Sequence, residues 1–129
     1  MSYEELLNEA FSNDVEVVEK AVSGQLKGLY ADNTILIDSQ LKDTEKCCIL
    51  AEELGHHYTT SGDILCLKDV MNRKKENLAH NWAIERLIPY EKIRSYENSN
   101  LDIYEIAEEL NVTTSFLTEA ISYYKRKIK

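Results

Sequence analysis

A single proline among 129 residues, beside a hydrophobic content of 43%, argues against a disordered tail and for a folded globule. No run of 18 apolar residues occurs, and the opening MSYEELLNEAF lacks the basic-then-apolar pattern of an export signal. The expectation is a soluble, cytoplasmic protein with no membrane partner. Three cysteines cannot all pair, and Cys47 and Cys48 are adjacent, so reduced thiols are the simpler reading. Positive charge is short: 15 Lys and Arg against 23 Asp and Glu give a net charge of −8. Binding nucleic acid draws on an excess of cations to neutralise phosphate, so that partner class is disfavoured. No repeat or low-complexity linker divides the chain, and 1–129 reads as one domain, able to bury about two thirds of its unfolded surface.

What is present is a readable order of elements. SYEELLNEAF carries apolar residues at 3, 6, 7, 10 and 11, the stripe of an amphipathic helix. Valines 15, 17 and 18 are β-branched and lean towards a strand. LKGLYADNTILID reads as a hairpin around Ala31-Asp32-Asn33, completing an N-terminal region over 1–42. Asp43 or Thr44 can cap the next helix, and Gly62-Asp63 mark a connection. A second long helix runs from about Asp69 and stops near Pro89, placing two central helices within 43–92. After the polar loop SYENSN, residues 101–129 read as two helices around Asn111-Val112-Thr113. The class is α+β, a small antiparallel sheet or hairpin packed on a helix pair, with a helix-turn-helix-like end.

One run carries chemistry. In CCILAEELGHHYTT, the segment Glu52-Glu53-Leu54-Gly55-His56 is one residue away from His-Glu-x-x-His, the helix that supplies zinc peptidases with two ligands and a general base. Position 52 is glutamate instead of histidine. Residues four apart stand one above the other on a helix, so Glu52 and His56 can reach one ion.

With GLYADNTILID before it and ENLAHNWAIERLIP after it, this run resembles the ImmA/IrrE-like metallopeptidases, particularly the short forms of phages and mobile elements. The second helix carries the matching signature Glu76, Ala79, Trp82-Ala83 and Leu87-Ile88-Pro89. The resemblance implies a gluzincin-like fold with a zincin-like helix pair, a metal held by Glu52, His56 and Glu76, and Glu53 as general base. Zinc is the implied metal. A set with two carboxylates brings manganese and iron into range, and a site without metal stays open. His80, four residues after Glu76, is implied to face Glu52. Three arrangements follow: Glu52 ligates and His80 orients it, the reverse, or the two form an ion pair in place of the metal.

Other residues have blander readings. His57, beside a ligand, is expected at the surface or behind the ligands, and Cys48 in the core. Tyr30 and Tyr58 could line a groove but suit core or surface as well, whereas Trp82, Ala83 and Leu87 read as packing. Strand 34–38 is expected to be a sheet edge able to pair with a peptide. Helix 114–124 resembles a recognition helix yet offers Glu119 and no Lys or Arg before Lys125, so no nucleic-acid-binding residue is assigned. The resulting expectation is a metal-dependent endopeptidase cleaving a helix-turn-helix repressor of the same mobile element. The alternative is a non-catalytic member of the fold that captures a regulator uncut.

Overall fold

The computed structural model describes residues 1–22, 24–59 and 69–127, with backbone alone over 69–72. The expected connection at Gly62-Asp63 lies outside the described residues. The first helix, α1 (Tyr3–Ser12), is fixed by a capping box: Ser2 Oγ accepts from Glu5 N at 3.1 Å, and Glu5 Oε1 accepts from Ser2 N at 2.9 Å. Leu6 and Ala10 from its stripe are fully buried. Asp14, at φ 61°, turns the chain into strand β1 (Glu16–Lys20). Strands β2 (Gly28–Ala31) and β3 (Thr34–Asp38) form the hairpin. Its turn residues Asp32 and Asn33 sit at φ 49° and 59°, the left-handed pair that a two-residue turn matched to strand twist requires.

The sheet differs from the expected antiparallel one in two ways. It has three strands in the order β1-β3-β2, and β1 runs parallel to β3 with Val17 opposite Ile35. Strand 34–38 is therefore the centre, paired on both sides, and the edges are β1 and β2. Burial explains the placement. Ile35 and Ile37 are fully buried, whereas no residue of β1 or β2 is, so the most apolar strand takes the sheltered position.

Helix α2 (Asp43–Thr59) opens with Asp43 and Glu45, acids that suit the positive end of its dipole, and packs on the sheet. It runs against α3 (Asp69–Leu87), the most extensive helix contact of the fold. Pro89 then starts α4 (Tyr90–Ser95), a short helix that the sequence reading treats as a stop. A second capping box, Asp102 with Glu105, begins α5 (Ile103–Leu110), and Asn111 at φ 58° ends it in the left-handed conformation. Thr113 Oγ1 accepts from Phe116 N at 3.1 Å, leading into α6 (Thr114–Lys127).

Leu6, Ile35, Leu50, Leu54, Ile84 and Leu117 are buried to 1% exposure or less and join sheet, central helices and C-terminal helices in one core. Each such side chain contributes about 1.5–3 kcal/mol of burial. Polar ties hold the outer pieces. Glu9 of α1 accepts from Arg86 of α3, with Nε at 2.9 Å, and Tyr124 of α6 donates to the Ile88 carbonyl at 2.8 Å. Among the described residues, no helix is long and apolar enough to cross a membrane.

Candidate metal centre

The approach of α2 and α3 is set by a glycine inside a helix. A Cβ built on Gly55 would lie 2.3 Å from the carbonyl oxygen of Ala79 and 2.9 Å from its Cα. Only a residue without a side chain lets backbone meet backbone there. The helices are antiparallel at this crossing, so residues rising on α2 meet residues falling on α3. Glu52 meets His80, with Oε1 2.9 Å from Nδ1, and His56 meets Glu76, with Nε2 3.3 Å from Oε1. All four positions singled out in the sequence thus come together on one face of the helix pair.

The two pairs differ in what they can do. Two donors on a tetrahedral zinc, each 2.0–2.1 Å from the ion, stand roughly 3.3 Å apart. The His56–Glu76 separation therefore fits two corners of such a site. Glu52 is turned instead to His80. Among the described residues, no group of three or more His, Cys, Asp or Glu side chains is gathered to hold an ion. The fit to a metal is met at two corners, and the third rests on Glu52, whose carboxylate keeps one oxygen beyond its bond to His80.

Glu53 points towards the hairpin. A Cβ on Gly28 of β2 would stand 3.3 Å from Glu53 Oε2 and 2.4 Å from Ile49 Cγ2, so the bare glycine makes room for the acid. Burial first, then the charges of Glu76 and Glu52, push the Glu53 carboxyl up to about 7.

His80 is held from both sides. Its Nδ1 bonds Glu52, and its Nε2 lies 2.5 Å from Oε2 of Glu119 on α6. The distance and the alignment of that second contact disagree. The nitrogen is shielded from solvent and makes no hydrogen bond of ordinary geometry. The contact is better described as an ion pair, because proximity of opposite charges needs no alignment. The bond to Glu52 first, and the charges of Glu52 and Glu119, raise the His80 pKa against the opposing effect of burial. With Nδ1 turned to Glu52 and Nε2 to Glu119, both ring nitrogens face carboxylates and neither is left for a metal.

The surrounding residues fall into place by contact. His57 turns away from the face that carries Glu52 and His56 and bonds Tyr30 of β2, with Nδ1 2.7 Å from the hydroxyl oxygen, tying hairpin to helix. Tyr58 lies against Trp82, ring centres 5.0 Å apart, while Ala83 and Leu87 are buried. Cys47 and Cys48 are both free and buried, which pushes their thiols up to about 11 and about 12. Three contributors escaped the sequence reading: Gly28, Gly55 and Glu119. Gly55 had a signal, since glycine within a helix costs about 1 kcal/mol relative to alanine and so invites a packing reason. Glu119 had none, because its partner lies 39 positions earlier.

A crossed helix pair below a small sheet, with acid and imidazole at the crossing, defines a zincin-like architecture. The family comparison makes this specific: residues 12–122 match the model of the IrrE N-terminal-like domain, peptidase family M78, and the chain belongs to that family. Its members are generally zinc-dependent. A Mycobacterium tuberculosis transcriptional regulator shares the fold, with a TM-score of 0.68 and 18% identity over 88% of this chain. The match spans 37% of that regulator's length. No curated protein matches the sequence.

Proposed function

We propose that this protein is a metal-dependent endopeptidase of the ImmA/IrrE kind whose substrate is a regulatory protein, in the first instance a helix-turn-helix repressor of a mobile element. The observation that carries this reading is the 3.3 Å spacing of His56 Nε2 and Glu76 Oε1 across the helix crossing. His56 and Glu76 would hold the ion, with Glu52 as third donor. When bound, zinc polarises a peptide carbonyl and acidifies water. The rest falls to the chain. Glu53 accepts the proton of the attacking water and passes it to the leaving amine. Strand β2, a sheet edge among the described residues that lies beside α2, offers its outer backbone groups to an extended substrate, the part first expected of 34–38. The substrate class follows the family resemblance, and a shared fold with a transcriptional regulator agrees with a role in regulation.

The second reading, a non-catalytic binder of a regulator, is favoured by the Glu52–His80 pair, which occupies the place of the first ligand. Elemental analysis of purified protein separates the two. The enzyme reading expects about one zinc per chain, lost in His56→Ala, and cleavage of the regulator abolished in Glu53→Gln with the metal retained. Metal-free protein that still binds the regulator would replace it with the binder.

A further inference from the structure

Helix α6 reads in sequence as a recognition helix, yet its place in the fold gives it a different task. Its inner face is buried through Phe116, Leu117, Ala120 and Tyr124, and it packs on α3. This docking brings Glu119 to His80, with Phe116 edge-on to the imidazole at a ring distance of 5.7 Å. The ring is thus enclosed by one aromatic and two carboxylates from separate helices. Beside it opens a cleft of about 350 Å³ lined by Ile49, Glu52, Phe116 and Glu119, so this wall faces an accessible space.

We propose that Glu119 is a positioning residue of the centre: it fixes the His80 ring, and through it the Glu52 carboxylate, so that α6 forms a third wall of the site. The physical reason lies at Nε2. That nitrogen is shielded from solvent, and no described group other than Glu119 is paired with it. Without the carboxylate, the shielded Nε2 would lose the one charged group paired with it among the described residues, and the ring would reorient towards other partners. Such a turn loosens the bond between Nδ1 and Glu52 Oε1. Outer carboxylates that orient a ligand through a histidine bond change metal affinity without touching the metal. The effect on affinity rests on the metallopeptidase reading; the clamp itself does not.

The test uses the full chain in three forms, wild type, E119Q and E119D, at one fixed pH. The side chain of Glu119 is 54% exposed, so neither substitution should disturb folding. Imidazole nitrogen NMR of the metal-free proteins, with His80 assigned by its loss in H80Q, reports bonding at both ring nitrogens. Zinc titration of the same samples reports affinity. E119Q is expected to shift both His80 nitrogen signals, speed exchange of the Nδ1 proton and weaken zinc binding about 10- to 100-fold. E119D, which keeps the charge, should restore much of each. His80 signals unchanged in E119Q would overturn the proposal, whatever zinc does. A wild type that takes up no zinc, with His80 still responding to E119Q, would uphold the clamp and remove the metallopeptidase reading.

Discussion

Replacing Gly55 with alanine sets two effects of known size against each other. Alanine is favoured over glycine inside a helix by about 1 kcal/mol, so on propensity alone the variant should be more stable. Packing opposes this. The new methyl carbon would lie 2.3 Å from the Ala79 carbonyl oxygen, a backbone atom that cannot rotate away. Relief requires α2 and α3 to separate by about 1 Å, and overpacking against rigid backbone lies in the upper part of the usual range, about 2–3 kcal/mol. The net expectation is a loss of about 1–2 kcal/mol. For 129 residues the unfolding entropy is about 270 cal/mol/K, which converts that loss into a fall in Tm of about 4–7 °C. Denaturant and thermal unfolding measure it. Zinc titration supplies the second readout, because the same separation pulls His56 from Glu76. A G55A protein as stable as wild type, or more so, would refute backbone contact between the helices and with it the registration of the four site residues.

Three further outcomes are expected. In metal-free protein, Glu53 with a folded pKa of about 7 against an ordinary 4.5 binds its proton more tightly when folded. Its contribution is therefore neutral below pH 4.5 and increasingly destabilising up to about pH 7. By linkage it reaches about 3 kcal/mol, so E53Q should unfold at higher denaturant than wild type at pH 8 and match it at pH 4; equal midpoints at both would contradict the burial of the acid. Leu50→Ala, at a fully buried position between sheet and helices, should cost about 2–5 kcal/mol in chemical denaturation. Asp102→Ala removes one half of a capping box and should cost about 1 kcal/mol, with a loss below 0.3 kcal/mol speaking against the cap.

The sequence exposed those parts of the molecule whose causes are local. The stripe of α1, the turn at Asp32-Asn33, the paired helices and their approximate ends all follow from patterns within a few residues. Convergence of 52, 56, 76 and 80 was also accessible, because helical spacing pairs 52 with 56 and the family resemblance implies the other two. The misses have long-range causes. Nothing near Glu16–Lys20 says that this strand will lie parallel to β3 beyond the hairpin, so the centre of the sheet was mistaken for its rim. Helix α4 was lost because Pro89 reads equally as an end and as a beginning. Glu119 is one acid among many until the docking of α6 brings it to His80.

The parallel first strand has a consequence for any shortened form of this protein. Residues 1–20 are a cover as much as a component: Tyr3 and Lys46 both bond Glu19 at 2.7 Å, latching β1 over one flank of β3. Cutting them away would bare a stretch containing Ile35, Leu36 and Ile37, whose backbone groups would be open to the same stretch in another molecule. Trimmed versions should therefore self-associate, visible as light scattering, before they unfold.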